Sequence, residues 1–291
     1  MGEWVIGIIG GSGLYEIDAL EDAQWIPVDT PWGAPSDDLL VGRIGDVRFV
    51  FLPRHGRGHR IPPTDLNVRA NVDALKRAGC TDLVAISAVG SLREELAPGR
   101  FVIVDQYIDR TFARANSFFG PGLVAHVSMA DPVCPRLSAL AADAAEAAEA
   151  EVTRGGCYVA IEGPQFSTRA ESRAYRSWGG DVIGMTGMPE ARLAREAELP
   201  YASIGMVTDY DCWREDCAGV GVAEILAQLH ANAGKARRLI TELAKRLPKE
   251  RAPSPIDIGL DNAIITAPEA RDPAMLAKLD AICGRVLDRA R

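Results

Sequence analysis

Eight short apolar runs, rich in β-branched residues and set off by glycine or proline turns, constrain this chain more than any other feature. They cover residues 5–9, 39–44, 47–52, 83–87, 101–108, 157–161, 181–185 and 202–207. Runs of this length without strict alternation read as strands buried on both faces. Helical stretches separate several of them. Residues 67–77 form one, ended by Gly79, and 135–152 is alanine-rich and followed by Gly155 and Gly156. Thr168 and Glu171 make a capping box that opens 169–176. Pro189, at a first-turn position, opens 190–197, and 222–246 is a long amphipathic helix. Strands alternating with helices imply an α/β fold. Only Gly45 and Asp46 join the second and third runs, so these form a hairpin and the sheet is mixed. The expected architecture is a single α/β domain over 1–247, with a central mixed β-sheet flanked by helices. Residues 248–255 carry three prolines and read as a linker. The segment 248–291 is then a C-terminal helical arm packed on the domain, with Asp272 and Pro273 capping a last helix that runs to about residue 290.

A formal net charge of −8 and a pI near 5.2 argue against nucleic acid as a partner. They leave room for a small anion held by a local basic pocket. No apolar run approaches the roughly 20 residues of a spanning helix, and the N-terminus lacks a basic-then-apolar signal. A cytoplasmic protein without membrane contact is expected. The six cysteines show no C-x-x-C spacing, which fits free thiols in a reducing compartment. The four histidines form no ligand pattern with them, so no metal is expected.

Loops at the strand ends carry the chemistry. Gly10, Gly11, Ser12 and Gly13 follow the first run, where glycines let backbone amides converge on an anion and Ser12 adds a hydroxyl. The spacing lacks the third glycine of a dinucleotide fingerprint and the lysine of a P-loop; a tight turn without a ligand is the plain alternative. Arg54, His55, Arg57, His59 and Arg60 crowd the end of the third run. Arginine offers a planar fork matched to phosphate, and the alternative is a solvated basic loop. Ser87, Ala88, Gly90 and Ser91 follow the fourth run with side chains small enough for close backbone approach. Phe166 and Ser167 precede the capped helix, and an aromatic ring there can stack on a planar base or belong to the core. Met185 and Thr186 occupy another strand-to-helix turn, with core filling as the alternative for Met185. Last come Asp209 and Asp211, two acids that would share one face of an extended chain, with no basic residue before Arg214. Such a pair suits proton donation to a nitrogen heterocycle. Ligands of α/β sheets sit in the crevice outside strand ends.

Taken in order, Gly10 to Leu14, Arg54-His55-Gly56, Gly90 to Glu95, Glu162-Gly163-Pro164-x-Phe166, Met185-Thr186-x-x-Pro189-Glu190 and Thr208 to Trp213 resemble the trimeric purine nucleoside phosphorylase family over roughly residues 4–245. The resemblance implies a nucleoside phosphorylase-like fold and a homotrimer. It implies cleavage of an N-glycosidic bond by inorganic phosphate, a co-substrate, with no cofactor. By position, Ser12, Arg54, His55, Ser87, Ala88 and Thr186 match the phosphate contacts. Phe166 and Met185 match residues flanking base and ribose, and Ser167 stands where 6-oxopurine enzymes place a glutamate. Asp209 stands where members acting on 6-aminopurines carry aspartate and the 6-oxopurine members asparagine. His126, Val222, Ile225 and Leu226 match the 5′-substituent pocket, with His126 reaching in from the neighbouring subunit.

The residue types agree with that chemistry. Departure of the purine puts negative charge on it, so Asp209, assisted by Asp211, is expected to donate a proton near N7. This requires a raised pKa, through burial or through Asp211. Phosphate serves as nucleophile and counter-charge, held in line by Arg54 and loop amides. Valine, isoleucine and leucine at the 5′ end suit a methylthio group better than a hydroxyl. The expected substrate is 5′-methylthioadenosine. Gly184 lies where adenine-type members usually have asparagine, and the stretch around it resembles phosphorylases of methylthioinosine. A 6-oxopurine nucleoside is therefore the alternative substrate, and a nucleotide-binding protein without catalysis the alternative of another class.

Overall fold

The computed structural model describes residues 2–11, 13–214 and 222–287, with side chains in the last segment from 227 onward. Its strands are β1 (Val5–Gly10), β2 (Glu21–Ile26), β3 (Leu39–Ile44), β4 (Val47–Pro53), β5 (Asp82–Ser91), β6 (Arg100–Val104), β7 (Gln106–Asp109), β8 (Glu151–Arg154), β9 (Cys157–Ala160), β10 (Val182–Gly184) and β11 (Tyr201–Asp209). The helices are α1 (Val68–Arg77), α2 (Pro135–Ala147), α3 (Arg169–Ser177), α4 (Gly187–Glu196), α5 (Val222–Arg246), α6 (Pro273–Lys278) and α7 (Asp280–Leu287). All eight apolar runs are strands, and β3 and β4 form the expected antiparallel hairpin with Ile44 opposite Val47. The sheet is mixed, in the order β2-β3-β4-β1-β5-β10-β9-β7, with β11, β6 and β8 branching from β5.

Four boundaries differ from the sequence reading. The run 101–108 divides at Asp105 into β6 and β7, because the Asp105 carboxylate accepts the Gly156 amide and pulls the chain out of line. The alanine-rich helix stops at Ala147, and Val152 belongs to β8, which pairs with β6. Pro189 does not start a simple helix, since Met188 keeps an extended backbone just inside α4. The final helix breaks at Leu279 into α6 and α7, and residue 290 lies outside the described residues. The two expected caps form: Asp272 caps α6, and both halves of the Thr168–Glu171 box are made; Asn67, read as the first residue of a helix, caps α1 instead.

β5 is the axis of the sheet. Its first half runs parallel to β1 from Ile6 opposite Asp82 to Ile9 opposite Ala85. Its end runs antiparallel to β10, with Ile183 opposite Gly90. Residues 86–89 therefore have no strand partner on that edge, while β11 covers the other edge from Leu83 to Gly90. This opening is a fork in the sheet, the kind of place where α/β proteins bind ligands. The arm folds against the same body: Leu260, Leu279, Ile282 and Cys283 join the core cluster that holds Leu75, Leu83 and Leu199. Ion pairs of Arg251 with the buried Asp82 and of Arg285 with the buried Glu198 pin it further.

Candidate active site

Arg54 is placed by β4, whose end hooks onto β1 through the bond from Arg54 N–H to Gly10 O, 2.8 Å. The guanidinium then enters the fork. Nη1 donates to Ile86 O at 3.0 Å and Nη2 to Ile9 O at 3.2 Å, in place of the ladder bonds a strand would have made. Nε and Nη2 meet the two carboxylate oxygens of Glu190 at 2.5 and 3.1 Å, and the side chain is only 2% exposed. Arginine has five N–H donors, and these contacts occupy four. The planar fork expected to face phosphate faces Glu190 instead, leaving one Nη1 hydrogen for an anion. Burial works against the charge, but Glu190 raises the Arg54 pKa above its ordinary value. Tyr201 donates to the same carboxylate at 3.2 Å.

His55, next in sequence, bonds through Nδ1 to Ile61 O at 2.9 Å and stacks on His59 with ring centroids 4.3 Å apart. Burial, followed by the charge of Arg54, lowers its pKa to about 4. A neutral ring whose Nδ1–H serves Ile61 O turns an acceptor, Nε2, outward. Ser87 and Ala88 lie in the unpaired stretch of β5. There a strand that is buried from Asp82 to Ile86 becomes partly accessible. Ser12 lies outside the described residues.

About 13 Å further along β5, at 3.3 Å per residue from Ile86 to Gly90, stands Asp209. A β-bulge between Val207 and Asp209 sets it opposite Gly90, and a Cβ on Gly90 would come 3.1 Å from Asp209 Oδ1. Asp209 Oδ1 accepts the Asp211 amide at 2.8 Å, and Oδ2 lies 2.7 Å from the Thr208 hydroxyl. Burial raises the Asp209 pKa against both hydrogen bonds. Of the two causes expected from the sequence, burial is the one that acts. Asp211 does not share a strand face with it, because the strand ends at Asp209 and Asp211 enters a 3-10 turn, Asp211–Trp213, with φ of 46°. Its carboxylate points to the Ser172 hydroxyl of α3, and burial raises its pKa as well.

The remaining wall comes from the segment between β9 and α3. Phe166 is 60% exposed beside Ser167, whose carbonyl accepts the Cys212 thiol. Ser167 Oγ is buried and without a hydrogen bond among the described residues. Met185 abuts Gly163, where a Cβ would come 2.4 Å from its sulfur. The buried Thr186 donates its amide to Tyr158 Oη at 3.3 Å. Gly184 has a packing reason: a Cβ there would come 2.1 Å from the Tyr158 hydroxyl, so the tyrosine fills the room a larger residue would take. His126 is exposed, and its amide bonds to Ala263 O of the arm, with no hydrogen bond to the cleft among the described residues. The side chains of Val222, Ile225 and Leu226 lie outside the described residues.

Three participants carried no role in the sequence reading. Glu190 holds Arg54 across 136 positions. Glu162 accepts the Phe112 and Ala113 amides and pairs with Arg114. Burial opposes the charge on Glu162, but those contacts bring its pKa down to about 2. Arg114 also donates to Met185 O at 2.5 Å and Met188 O at 2.8 Å, joining three loops of the cleft. An acid directly after Pro189 in an otherwise apolar stretch was the available sign for Glu190. Arg114 left none.

A model of the phosphorylase superfamily matches residues 5–245. The S-methyl-5′-thioadenosine phosphorylase of Cereibacter sphaeroides is 61% identical over 285 residues, covering 97% of this chain and 98% of that protein. The protein of the same name from Geobacter sulfurreducens is 53% identical, covering 97% and 99%. Among solved structures, a methylthioadenosine phosphorylase from an Antarctic soil metagenome superimposes with a TM-score of 0.91 at 44% identity, covering 97% and 99%. A variant of the adenosine/methylthioadenosine phosphorylase of Schistosoma mansoni, solved with methylthioadenosine, gives 0.76 at 40%, covering 84% and 91%. With a family match over most of its length and relatives more than half identical across it, this chain belongs to the phosphorylase superfamily.

Proposed function

We propose that this chain cleaves S-methyl-5′-thioadenosine with inorganic phosphate, releasing adenine and 5-methylthioribose 1-phosphate for purine and methionine salvage. The observation that carries the reading is Asp209: a half-buried carboxyl with a raised pKa and no ion pair among the described residues, at the end of the cleft opposite Arg54. In this reading the phosphate lies by Ser12, His55, Ser87, Ala88, Thr186 and the remaining Nη1 hydrogen of Arg54. Bound dianion stabilises the protonated form of His55, which restores a donor at Nε2. The purine lies by Phe166, Met185 and Ser167, whose unpartnered hydroxyl suits a polar edge of a base. As the glycosidic bond lengthens, its electron pair moves onto the base and phosphate oxygen closes on the anomeric carbon. Asp209 gives its proton to N7, and the Asp211 amide holds the carboxylate left behind. Such general-acid help is worth about 10²–10⁴-fold.

Val222, Ile225 and Leu226 would line the methylthio pocket. The exposed His126, carried on the outer surface by its bond to the arm, would complete the site of a neighbouring copy in a homotrimer. The packing of Tyr158 against Gly184 supplies a reason for the glycine that is independent of the base, so Asp209 decides for the 6-aminopurine. The test is phosphate-dependent turnover of methylthioadenosine, adenosine, methylthioinosine and inosine side by side. Methylthioadenosine should be the best substrate, with sugar phosphate formed only when phosphate is present; preference for either 6-oxopurine would overturn the assignment.

A further inference from the structure

Thr208 is the additional residue of the bulge that sets Asp209 opposite Gly90. Its hydroxyl has two acceptors within reach, Asp209 Oδ2 at 2.7 Å and Val89 O at 3.2 Å. A hydroxyl owns one proton and serves one acceptor at a time. The choice depends on the charge of Asp209, because a carboxylate draws a shorter and stronger bond than a neutral carbonyl. Asp209 Oδ1 is already engaged by the Asp211 amide, which leaves Oδ2 as the oxygen whose environment changes when the carboxyl ionises.

We infer that Thr208 is a positioning residue for the proton step: its hydroxyl rests on Val89 O while Asp209 is protonated and turns to Oδ2 as the proton leaves. The inference rests on the phosphorolysis reading of Asp209. In the step itself, the O–H bond of Asp209 breaks and an N–H bond forms at purine N7. The glycosidic electron pair passes onto the base, and the carboxylate left behind receives the Thr208 O–H in addition to the Asp211 N–H. The group that stabilises the product carboxylate is thus in place before the reaction and needs only a torsional turn. Among the described residues, four neighbouring titratable side chains are engaged elsewhere. Asp211 faces Ser172 of α3, the Cys212 thiol donates to Ser167 O, Arg176 of α3 lies over the Trp213 ring, and Arg214 pairs with Glu94. On β5, Gly90 lies against the Asp209 carboxylate, and Ile183 of β10 packs beside the same glycine.

The pH dependence of kcat/KM for methylthioadenosine at saturating phosphate tests this in wild type, Thr208→Val, Thr208→Ala and Thr208→Ser. Loss of a hydrogen bond to the carboxylate should move the alkaline limb up by about one pH unit in the Val and Ala variants. A weaker acid should also lower kcat near pH 7 by about 3-fold or more, while KM for the nucleoside holds. Thr208→Ser should keep the wild-type profile, because the hydroxyl and not the methyl group acts. Using two hydroxyl-free side chains guards against one failing to fold, which thermal melting would reveal. An unmoved alkaline limb in both, or a serine variant that behaves like valine, overturns the role of Thr208. Absence of phosphate-dependent turnover in the wild type would instead overturn the phosphorolysis reading, and this inference with it.

Discussion

The two ends of the cleft treat charge in opposite ways. At the β1–β4 end, the Arg54 cation is buried and held by both oxygens of Glu190, two strand carbonyls completing its contacts. At the β11 end, the half-buried Asp209 and the buried Asp211 have no ion pair among the described residues and take hydrogen bonds from Thr208, Ser172 and backbone amides. A paired buried charge keeps one protonation state at every working pH, which suits a group whose task is geometry. An unpaired buried carboxyl has its pKa raised by burial, which suits a group that must give up a proton and take it back. The fold rivets the Arg54 end with an ion pair and leaves the carboxyl end without one among the described residues.

The largest test of that contrast removes the rivet. Glu190→Ala leaves Arg54 as an uncompensated buried cation, and breaking such a pair costs about 3–5 kcal/mol; urea unfolding should show it. Survival of the fold with wild-type stability would mean that the strand carbonyls alone hold Arg54. At the other end, Asp209→Asn should lower methylthioadenosine turnover about 10²-fold or more, while inosine-type substrates gain relative to it. Equal loss on both would remove the base-reading role. The same variant should melt no lower than wild type at pH 8. A carboxyl whose folded pKa is raised stabilises the fold below its unfolded value and loses that contribution as pH rises, so at pH 8 the charged form is a burden that asparagine lacks.

A smaller effect is expected between the two ends, where Gly184→Ala would drive a methyl group into the Tyr158 hydroxyl. Overpacking of this kind costs about 1–3 kcal/mol. The loss should shrink when Tyr158 is replaced by leucine in the same chain, a double-mutant comparison read by thermal melting. A pH-dependent effect lies outside the cleft. Glu196 accepts the Phe118 amide and the Ser117 hydroxyl, but burial dominates and raises its pKa to about 7. Its contribution to stability is complete below its unfolded value of 4.5 and is lost as pH rises through about 7. Glu196→Gln should therefore flatten the stability profile between pH 5 and 8; an unchanged slope would place the titration elsewhere.

Much of the fold was legible because apolar runs report burial directly. β2 and β8 escaped because they report the reverse. β2, Glu21–Ile26, is exposed along nearly its whole length, and β8, Glu151–Arg154, is polar at both ends. Edge strands like these are fixed by backbone pairing to a neighbour, with Arg100 to Ile103 aligning β8, and pairing leaves no period in the side chains. The same divide runs through the site. Arg54, Thr186 and Asp209 could be picked out because each sits at a strand end beside small residues. The long-range pairings could not, since Glu190 is 136 positions from Arg54 and Arg114 is 71 from Met185.

By itself the sequence determined the α/β class, the hairpin, two helix caps and the loops from which the cleft is made. These follow from local rules, burial period and capping chemistry, that act within a few residues. Only the tertiary structure decided that β5 loses a strand partner between β1 and β10, that the Arg54 fork faces Glu190, and that Asp211 turns toward Ser172 instead of sharing a face with Asp209. Such outcomes depend on which distant groups satisfy a buried charge or an open strand edge. That choice is made when the chain packs and leaves no trace in the spacing of neighbouring residues.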